Sequence, residues 1–271
     1  MDSGTDAAQR TDRSVGLPRR GFRRMPILRV PGVLSATLRG LVRRMLEKGH
    51  PPNEALAMEY FRERSRRKRY REFLDSSSPW YLSPLLATEA IVELLGPERR
   101  PIAILDVGCG RGGLCRWLKA RAQSELQYTG VDQDALVIAH CEKTLGDCGT
   151  FRCGDSRNLE APALSADVIF TINMFPYIID PIPILTRFRT ILRPRGFLVV
   201  LDPADSSFWK HELPGFGVSL RSASTWTSLA AKAGWRVEEI ASLGVFAIGT
   251  RAVLPLSNVF VLTPETQTPM G

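Results

Sequence analysis

Apolar residues recur along this chain in two rhythms, and the change of rhythm divides it. From Val33 to Lys48, Leu34, Leu38, Leu41 and Met45 stand at helical spacing with Arg39, Arg43, Arg44 and Lys48 between them. That pattern predicts a basic amphipathic helix, stopped by Gly49 and the Pro51-Pro52 pair. Asn53 caps a second predicted helix running to about Leu74, with Leu56, Tyr60 and Phe61 as its packing residues. Ser76-Ser77-Ser78-Pro79 marks a boundary, followed by Trp80-Tyr81 and a predicted helix over 84–95. Beyond it the apolar positions come in short runs. They predict strands at 102–106, 127–131, 150–153, 167–173, 196–202, 236–242 and 258–263, and helices at 112–122, 134–145, 182–192 and 224–233.

Strands alternating with helices build a parallel sheet covered on both faces. Brief apolar runs such as 167–173 suit strands buried on both sides. No helix separates the last two strands, which predicts a terminal antiparallel hairpin. The expectation is an α/β fold: a seven-stranded, mostly parallel, doubly wound sheet with an N-terminal helical appendage. Residues 1–31, polar, basic and dotted with Pro and Gly, read as a disordered tail. Residues 32–79 read as a helical lid and 80–271 as the main domain.

Charge sharpens that division. The net charge is +8, yet residues 1–75 hold 18 Lys/Arg against 9 Asp/Glu, and residues 76–271 hold 18 against 19. The basic excess sits in the N-terminal quarter, where Arg62-Glu63-Arg64-Ser65-Arg66-Arg67-Lys68-Arg69-Tyr70-Arg71 is either a solvated helix face or a patch steering an anionic partner. Five cysteines, odd in number and without paired short spacings, give no disulfide framework and no metal site. Reduced thiols and a cytoplasmic location are the economical expectation. No stretch approaches the roughly 20 apolar residues of a transmembrane helix. The start lacks a secretory h-region, and Asp2, Asp6 and Asp12 count against a transit peptide.

The candidate chemistry begins at residue 104, in Ile-Leu-Asp-Val-Gly-Cys-Gly-Arg-Gly-Gly-Leu. An apolar strand stops at Asp106, and Gly108, Gly110 and Gly112 follow at alternate positions. Without Cβ atoms such a turn lets a ligand lie against backbone N–H groups at the start of the next helix, as nucleotide-type cofactors do. Cys109 within it is a small filler. Gly108-x-Gly110-x-x-Gly113 also satisfies the dinucleotide fingerprint, so a nicotinamide or flavin enzyme has to be weighed. Asp106 argues against it: a carboxylate there would face a pyrophosphate, whereas it suits an ammonium or sulfonium cation. The motif also follows a helical appendage instead of opening its domain.

Over roughly residues 80–265 the chain resembles the class I, Rossmann-like S-adenosylmethionine-dependent methyltransferases. Asp106-Val-Gly108-Cys-Gly110-Arg-Gly112 is similar to the family's first motif. Gly130-Val-Asp132-Gln133 is similar to the second, where an acid ending the second strand grips both ribose hydroxyls, as two acceptor oxygens suit two adjacent hydroxyls. Gly154-Asp155-Ser156 resembles the loop that binds the adenine amine. Asn173, ending the fourth strand, stands where the family brings the methionine portion and substrate together. Leu192-Arg-Pro-Arg-Gly196 before Phe197–Leu201 resembles the approach to the fifth strand. The resemblance implies S-adenosyl-L-methionine as cofactor, Asp106, Gly108, Gly110, Gly112, Asp132, Gln133, Asp155, Ser156 and Asn173 as its site, and in-line methyl transfer to an acceptor nucleophile.

The family has no invariant base, so acceptor-side residues are read from position. His211, in Trp209-Lys210-His211-Glu212, follows the fifth strand on the carboxyl side of the sheet, where open α/β folds bind ligands. Tyr177, in Phe175-Pro176-Tyr177, stands just past Asn173. These two are the candidate catalytic residues, each against the alternative of an ordinary packing or surface role. Asn173-Met-Phe-Pro-Tyr lacks the first proline of the nucleobase-amine methylase loop, which argues against that substrate. Trp80 and Tyr81 either close over the cofactor or staple the appendage to the body. A neutral body and a lid-sized appendage point to a small-molecule metabolite as acceptor. The alternative is RNA or protein gripped by the basic arm, although aromatic residues for base stacking are sparse there.

Overall fold

The structure, a computed structural model, describes residues 53–55, 57, 59, 62, 68, 72, 81–98, 100–205, 218–247 and 252–265. The predicted helix of 33–48, the tail of 1–31, His50, Trp80 and His211 lie outside the described residues. Within the second predicted helix the described positions from Glu54 to Glu72 are helical, and Ala57 is fully buried. The exposed Lys68 and Glu72 pair across one turn at 3.7 Å.

The predicted helix at 84–95 is two pieces. A 3-10 turn, Ser83–Ala87, leads into α1, Glu89–Leu94, and Thr88 between them is extended, its hydroxyl donating to Leu85 O at 2.8 Å. Then follow β1 (Ile102–Val107), α2 (Gly113–Lys119), β2 (Leu126–Asp132), α3 (Ala135–Leu145) and β3 (Thr150–Cys153). The second half comprises β4 (Ala166–Ile172), α4 (Ile182–Ile191), β5 (Leu192–Pro203), α5 (Ala223–Lys232), β6 (Trp235–Ala247) and β7 (Ala252–Pro264). The strands form one sheet in the order β3-β2-β1-β4-β5-β7-β6. Its first five members are parallel, while β7 runs antiparallel to both β5 and β6. The seven-stranded, mostly parallel sheet and the terminal hairpin are as expected. The hairpin strands extend past 242 and begin before 258, because their pairing continues to Ala247 opposite Ala252.

All six residues of β1 are buried, as a strand covered on both faces requires. On one face Ile104, Phe170, Val199 and Leu201 pack against Leu85, Ile91, Trp117 and Cys141. On the other, Leu105, Ile169, Leu198 and Val200 meet Phe175, Phe188, Trp226 and Trp235. Each large apolar side chain so buried contributes about 1.5–3 kcal/mol. Asp134 caps α3 by accepting from Leu136 N at 2.9 Å, and Ser222 caps α5 by accepting from Thr225 N at 3.1 Å.

Chain order reverses between β1 and β4: one half of the sheet grows outward through β2 and β3, the other through β5. Connections then leave in opposite directions and open a crevice above the carboxyl ends of β1 and β4. At the opposite end Asp167, beginning β4, accepts from Arg100 at 2.8 and 2.9 Å, Arg193 at 2.9 Å and Ala103 N at 2.8 Å. Burial alone would raise the Asp167 carboxyl. Arg100, the Ala103 N–H and Arg193 outweigh it and hold the group below its ordinary value.

Candidate active site

The crevice is floored by the glycine turn. Gly108 N and Cys109 N both donate to Val131 O, at 2.8 and 3.0 Å, which fixes the turn to the end of β2. Gly110 and Gly112 have φ of +50° and +70°, a conformation that costs any residue with a Cβ. Their surroundings differ. A Cβ on Gly112 would lie 2.3 Å from Leu145 Cδ1 beneath α3, whereas one on Gly110 would meet nothing within 4 Å. Gly112 is a packing glycine, and Gly110 borders open space where a ligand can approach. The Cys141 thiol supports the turn by donating to Gly110 O at 3.2 Å. The Cys109 thiol is pushed up by its hydrogen bond with Cys141 and by burial, so it fills space and is no nucleophile.

Two carboxyls flank the turn. Asp106 is 1% exposed; its Oδ2 accepts from the Tyr128 hydroxyl, and its Oδ1 has no hydrogen-bond partner. Burial raises its pKa to about 7, the Tyr128 bond lowering it and the Asp132 charge adding to the rise. Asp132, ending β2, accepts from Gly110 N on Oδ2 at 2.9 Å and from Asp134 N on Oδ1 at 3.0 Å, and the Gln133 N–H also bonds its carboxyl. Burial raises its carboxyl as well, against the pull of those backbone N–H groups. Its two oxygens, held side by side, match the spacing of a vicinal diol. Gln133 beside it is exposed.

Asp155 caps the short 3-10 turn Ser156–Asn158. Its Oδ1 accepts from Arg157 N at 2.9 Å and Nε at 3.1 Å, and its Oδ2 pairs with the same guanidinium at 3.1 Å. Burial would raise Asp155; the Arg157 bonds reverse that and hold it low. This carboxylate is largely taken up by Arg157, and half-buried Ser156 lies beside it.

Asn173 follows β4 directly at φ +56°, donating its N–H to Leu201 O at 2.7 Å and leaving its side chain exposed. Asparagine tolerates that conformation better than most residues, and strained positions concentrate at functional sites. The next residue, Met174, packs on Gly108: a Cβ there would come within 3.0 Å of Met174 Cγ. Phe175 is fully buried, edge-on to Trp226 at 4.9 Å, and Pro176 is buried, so both pack. Tyr177 alone of the three is half-buried. His140 lies beside Thr144 on α3 itself, and half-buried Tyr81 packs against the core.

Two residues of this region escaped the sequence reading. Asp202, near the end of β5, is 3% exposed and carries an unpartnered Oδ1. Burial pushes it up to about 8, tempered by the Arg221 charge and the Phe175 N–H. A signal existed: like Asp106 and Asp132, it is an acid closing an apolar strand. Arg221 had none. It is 6% exposed and donates to the carbonyls of Phe175 at 2.8 Å, Ser219 at 3.2 Å, Ile179 at 3.0 Å and Ile178. It thereby gathers the loop after Asn173.

A glycine turn open at Gly110, a carboxylate braced beside it for a diol, and a buried acid with one oxygen unmet by any donor suit a nucleoside cofactor carrying cationic groups. The class this defines is the S-adenosylmethionine-dependent methyltransferase. A family model described as "Methyltransferase domain" matches residues 80–240, and the chain belongs to that family. A demethylmenaquinone methyltransferase of Thermotoga maritima is 35% identical over 112 residues, covering 41% of this chain and 48% of that protein. A malonyl-[acyl-carrier protein] O-methyltransferase of Halalkalibacterium halodurans is 30% identical over 129 residues, 44% of this chain and 48% of that protein. The matched stretch thus spans about half the length of these curated relatives. Among solved structures, the CMeT domain of the citrinin polyketide synthase superposes with a TM-score of 0.57 at 19% identity, over 73% of this chain and 57% of that one. A SAM-dependent methyltransferase from Aquifex aeolicus gives 0.54 at 17%, over 70% and 95%. At such identities these two attest the fold. Among the described residues no helix is long and apolar enough to cross a membrane.

Proposed function

We propose that the protein methylates an oxygen, nitrogen or carbon atom of a small-molecule acceptor held above the carboxyl ends of β4 and β5, with residues 32–79 as the acceptor-side lid of the main domain. The observation that carries the site assignment is Asp132, aimed by the N–H groups of Gly110 and Asp134. In this reading Asp132 holds the ribose hydroxyls and Gln133 borders them. Asp155 and Ser156 meet the adenine, with Arg157 setting the Asp155 carboxylate. Gly110 admits the cofactor to the backbone, Gly108 and Gly112 shape the turn against Met174 and Leu145, and Asp106 offers Oδ1 to the cofactor's cationic end.

S-adenosyl-L-methionine supplies a methyl carbon made electrophilic by the attached sulfonium. The chain supplies orientation and close approach, since a nucleophile held in line gains most from lost freedom already removed. Asn173, fixed by Leu201 O, stands between cofactor and acceptor. Tyr177 and His211 are the candidate acceptor-side groups, and a base is needed only if the nucleophile starts protonated.

The near-neutral charge of residues 76–271 supports a small acceptor, as do relatives whose names specify demethylmenaquinone and malonyl-[acyl-carrier protein]. All five cysteines are free thiols, which supports a reducing, cytoplasmic setting. The run Arg66-Arg67-Lys68-Arg69 favours the second reading, an RNA or protein acceptor. Calorimetry should show S-adenosylmethionine and S-adenosylhomocysteine binding and no measurable NAD or FAD binding; tight NAD binding would sink the assignment. Release of S-adenosylhomocysteine against a panel of small acceptors should barely respond to salt, whereas turnover of RNA would fall steeply with it.

A further inference from the structure

Glu54 makes two contacts that join distant parts of the site. Its Oε1 accepts from Ile179 N at 2.6 Å, in the loop that follows Asn173. Its Oε2 pairs with Arg157 Nη1 at 3.0 Å, and Arg157 in turn holds Asp155 at 3.1 Å. The same peptide group is gripped from its other side, where the Ile178 carbonyl accepts from Arg221, and the next carbonyl, Ile179 O, accepts from the same guanidinium at 3.0 Å. Glu54 belongs to the N-terminal segment, anchored next to it by the fully buried Ala57, whose N–H donates to Asn53 O at 2.9 Å. Sequence separations of 103 and 125 residues make these contacts wholly tertiary.

We propose that Glu54 is a positioning residue that couples cofactor binding to the acceptor loop: it ties the Asp155–Arg157 turn to the Ile179 peptide, so that a cofactor settling on that turn fixes the loop that receives the acceptor. This rests on the reading of the site given above. The physical basis is a carboxylate with two oxygens and two separate donors. Arg157 is shared between Asp155 and Glu54, so any ligand that orders Asp155 also fixes the guanidinium on which Glu54 rests. Glu54 then holds the Ile179 N–H in place, while Arg221 holds the Ile178 and Ile179 carbonyls. The ordering of one turn lowers the cost of ordering the other, which is positive coupling without a change of fold. By linkage the coupling is reciprocal, so cofactor and acceptor each tighten the binding of the other.

The test needs no acceptor. Amide hydrogen exchange of residues 175–180 is followed in the full chain with and without S-adenosylhomocysteine, alongside calorimetry of the same ligand. In the unaltered chain the ligand should slow exchange at Ile179. In Glu54→Ala, Ile179 should exchange faster and lose its ligand response, affinity falling about threefold, as for a partly exposed ion pair. In Glu54→Gln the amide oxygen still accepts from Ile179 N while the charge facing Arg157 is gone. That variant should keep the basal protection and lose most of the ligand response. Arg157→Ala should behave as Glu54→Gln does at Ile179. Ligand-induced protection of Ile179 that is equal in all four chains overturns the coupling. Failure of the unaltered chain to bind S-adenosylhomocysteine overturns the cofactor assignment itself, and the coupling with it.

Discussion

Buried carboxyls stand at both ends of the central sheet, and the two ends treat them in opposite ways. At the amino end Asp167 is met by two arginines and a backbone N–H, and its carboxyl is held below the ordinary value. At the carboxyl end Asp106 and Asp202 are buried more deeply, at 1% and 3% exposed against 9% for Asp167, yet each leaves Oδ1 without a donor, and burial drives them to about 7 and about 8. A satisfied buried charge fastens elements together; a half-satisfied one stores an unfavourable interaction that a ligand or a proton can relieve. The amino end is therefore fastened by its carboxyl, and the carboxyl end keeps acceptor oxygens that no donor meets.

The sharpest way to break this comparison is to delete the carboxyls and read stability. Asp167→Ala leaves two guanidinium groups and the Ala103 N–H without their acceptor, and should cost roughly 2–3 kcal/mol in urea unfolding. Asp106→Asn keeps the shape and removes only a poorly satisfied acid, so its stability should stay within about 1 kcal/mol of the parent. Equal losses at the two ends would erase the distinction.

Next in size is the cofactor. Asp132→Ala removes charge-assisted bonds worth about 1.5–3 kcal/mol each, so affinity for S-adenosylmethionine should fall by roughly tenfold or more while the fold survives. Unchanged affinity would mean that the diol is held elsewhere.

The two ends should also differ in pH dependence. Asp106 and Asp202 are raised in the folded chain, so the native state keeps protons that the unfolded state has released. Their contribution is full below about pH 4, the unfolded carboxylate value, and is lost as pH rises towards 8. Asp167 is lowered, so its contribution is present above pH 4 and lost as pH falls below it. Thermal unfolding across pH should show the neutral-side loss shrinking in Asp106→Asn with Asp202→Asn, and the acid-side loss shrinking in Asp167→Asn. A bound cation favours ionised Asp106, so affinity for S-adenosylmethionine should rise about tenfold between pH 5.5 and 7, and Asp106→Asn should flatten that rise.

The smallest effect concerns the basic arm. If the acceptor is small, deleting residues 1–30 should leave cofactor binding and turnover nearly intact, because the stretch is too polar to join a core. Loss of methyl transfer with cofactor affinity unchanged would show the arm recruiting the acceptor.

The sequence alone determined the alternation of strands and helices, the glycine turn and the acids that end β1 and β2. Each of these is written locally, in apolar period, in the need for glycine at positive φ, and in a strand that stops on a carboxylate. It also placed Asn173, although the φ of +56° there became visible only in the folded backbone. Tertiary structure decided what those groups can do. Nothing near Glu54 in sequence says that it reaches both Arg157 and Ile179. Phe175, two positions before Tyr177, is core because Trp226, 51 positions on, lies edge-on to it. The state of a carboxyl depends on burial and on donors from other elements. Asp106 and Asp202 close apolar strands and Asp167 opens one, and only packing brought two arginines to Asp167 and left Oδ1 of the other two without a donor.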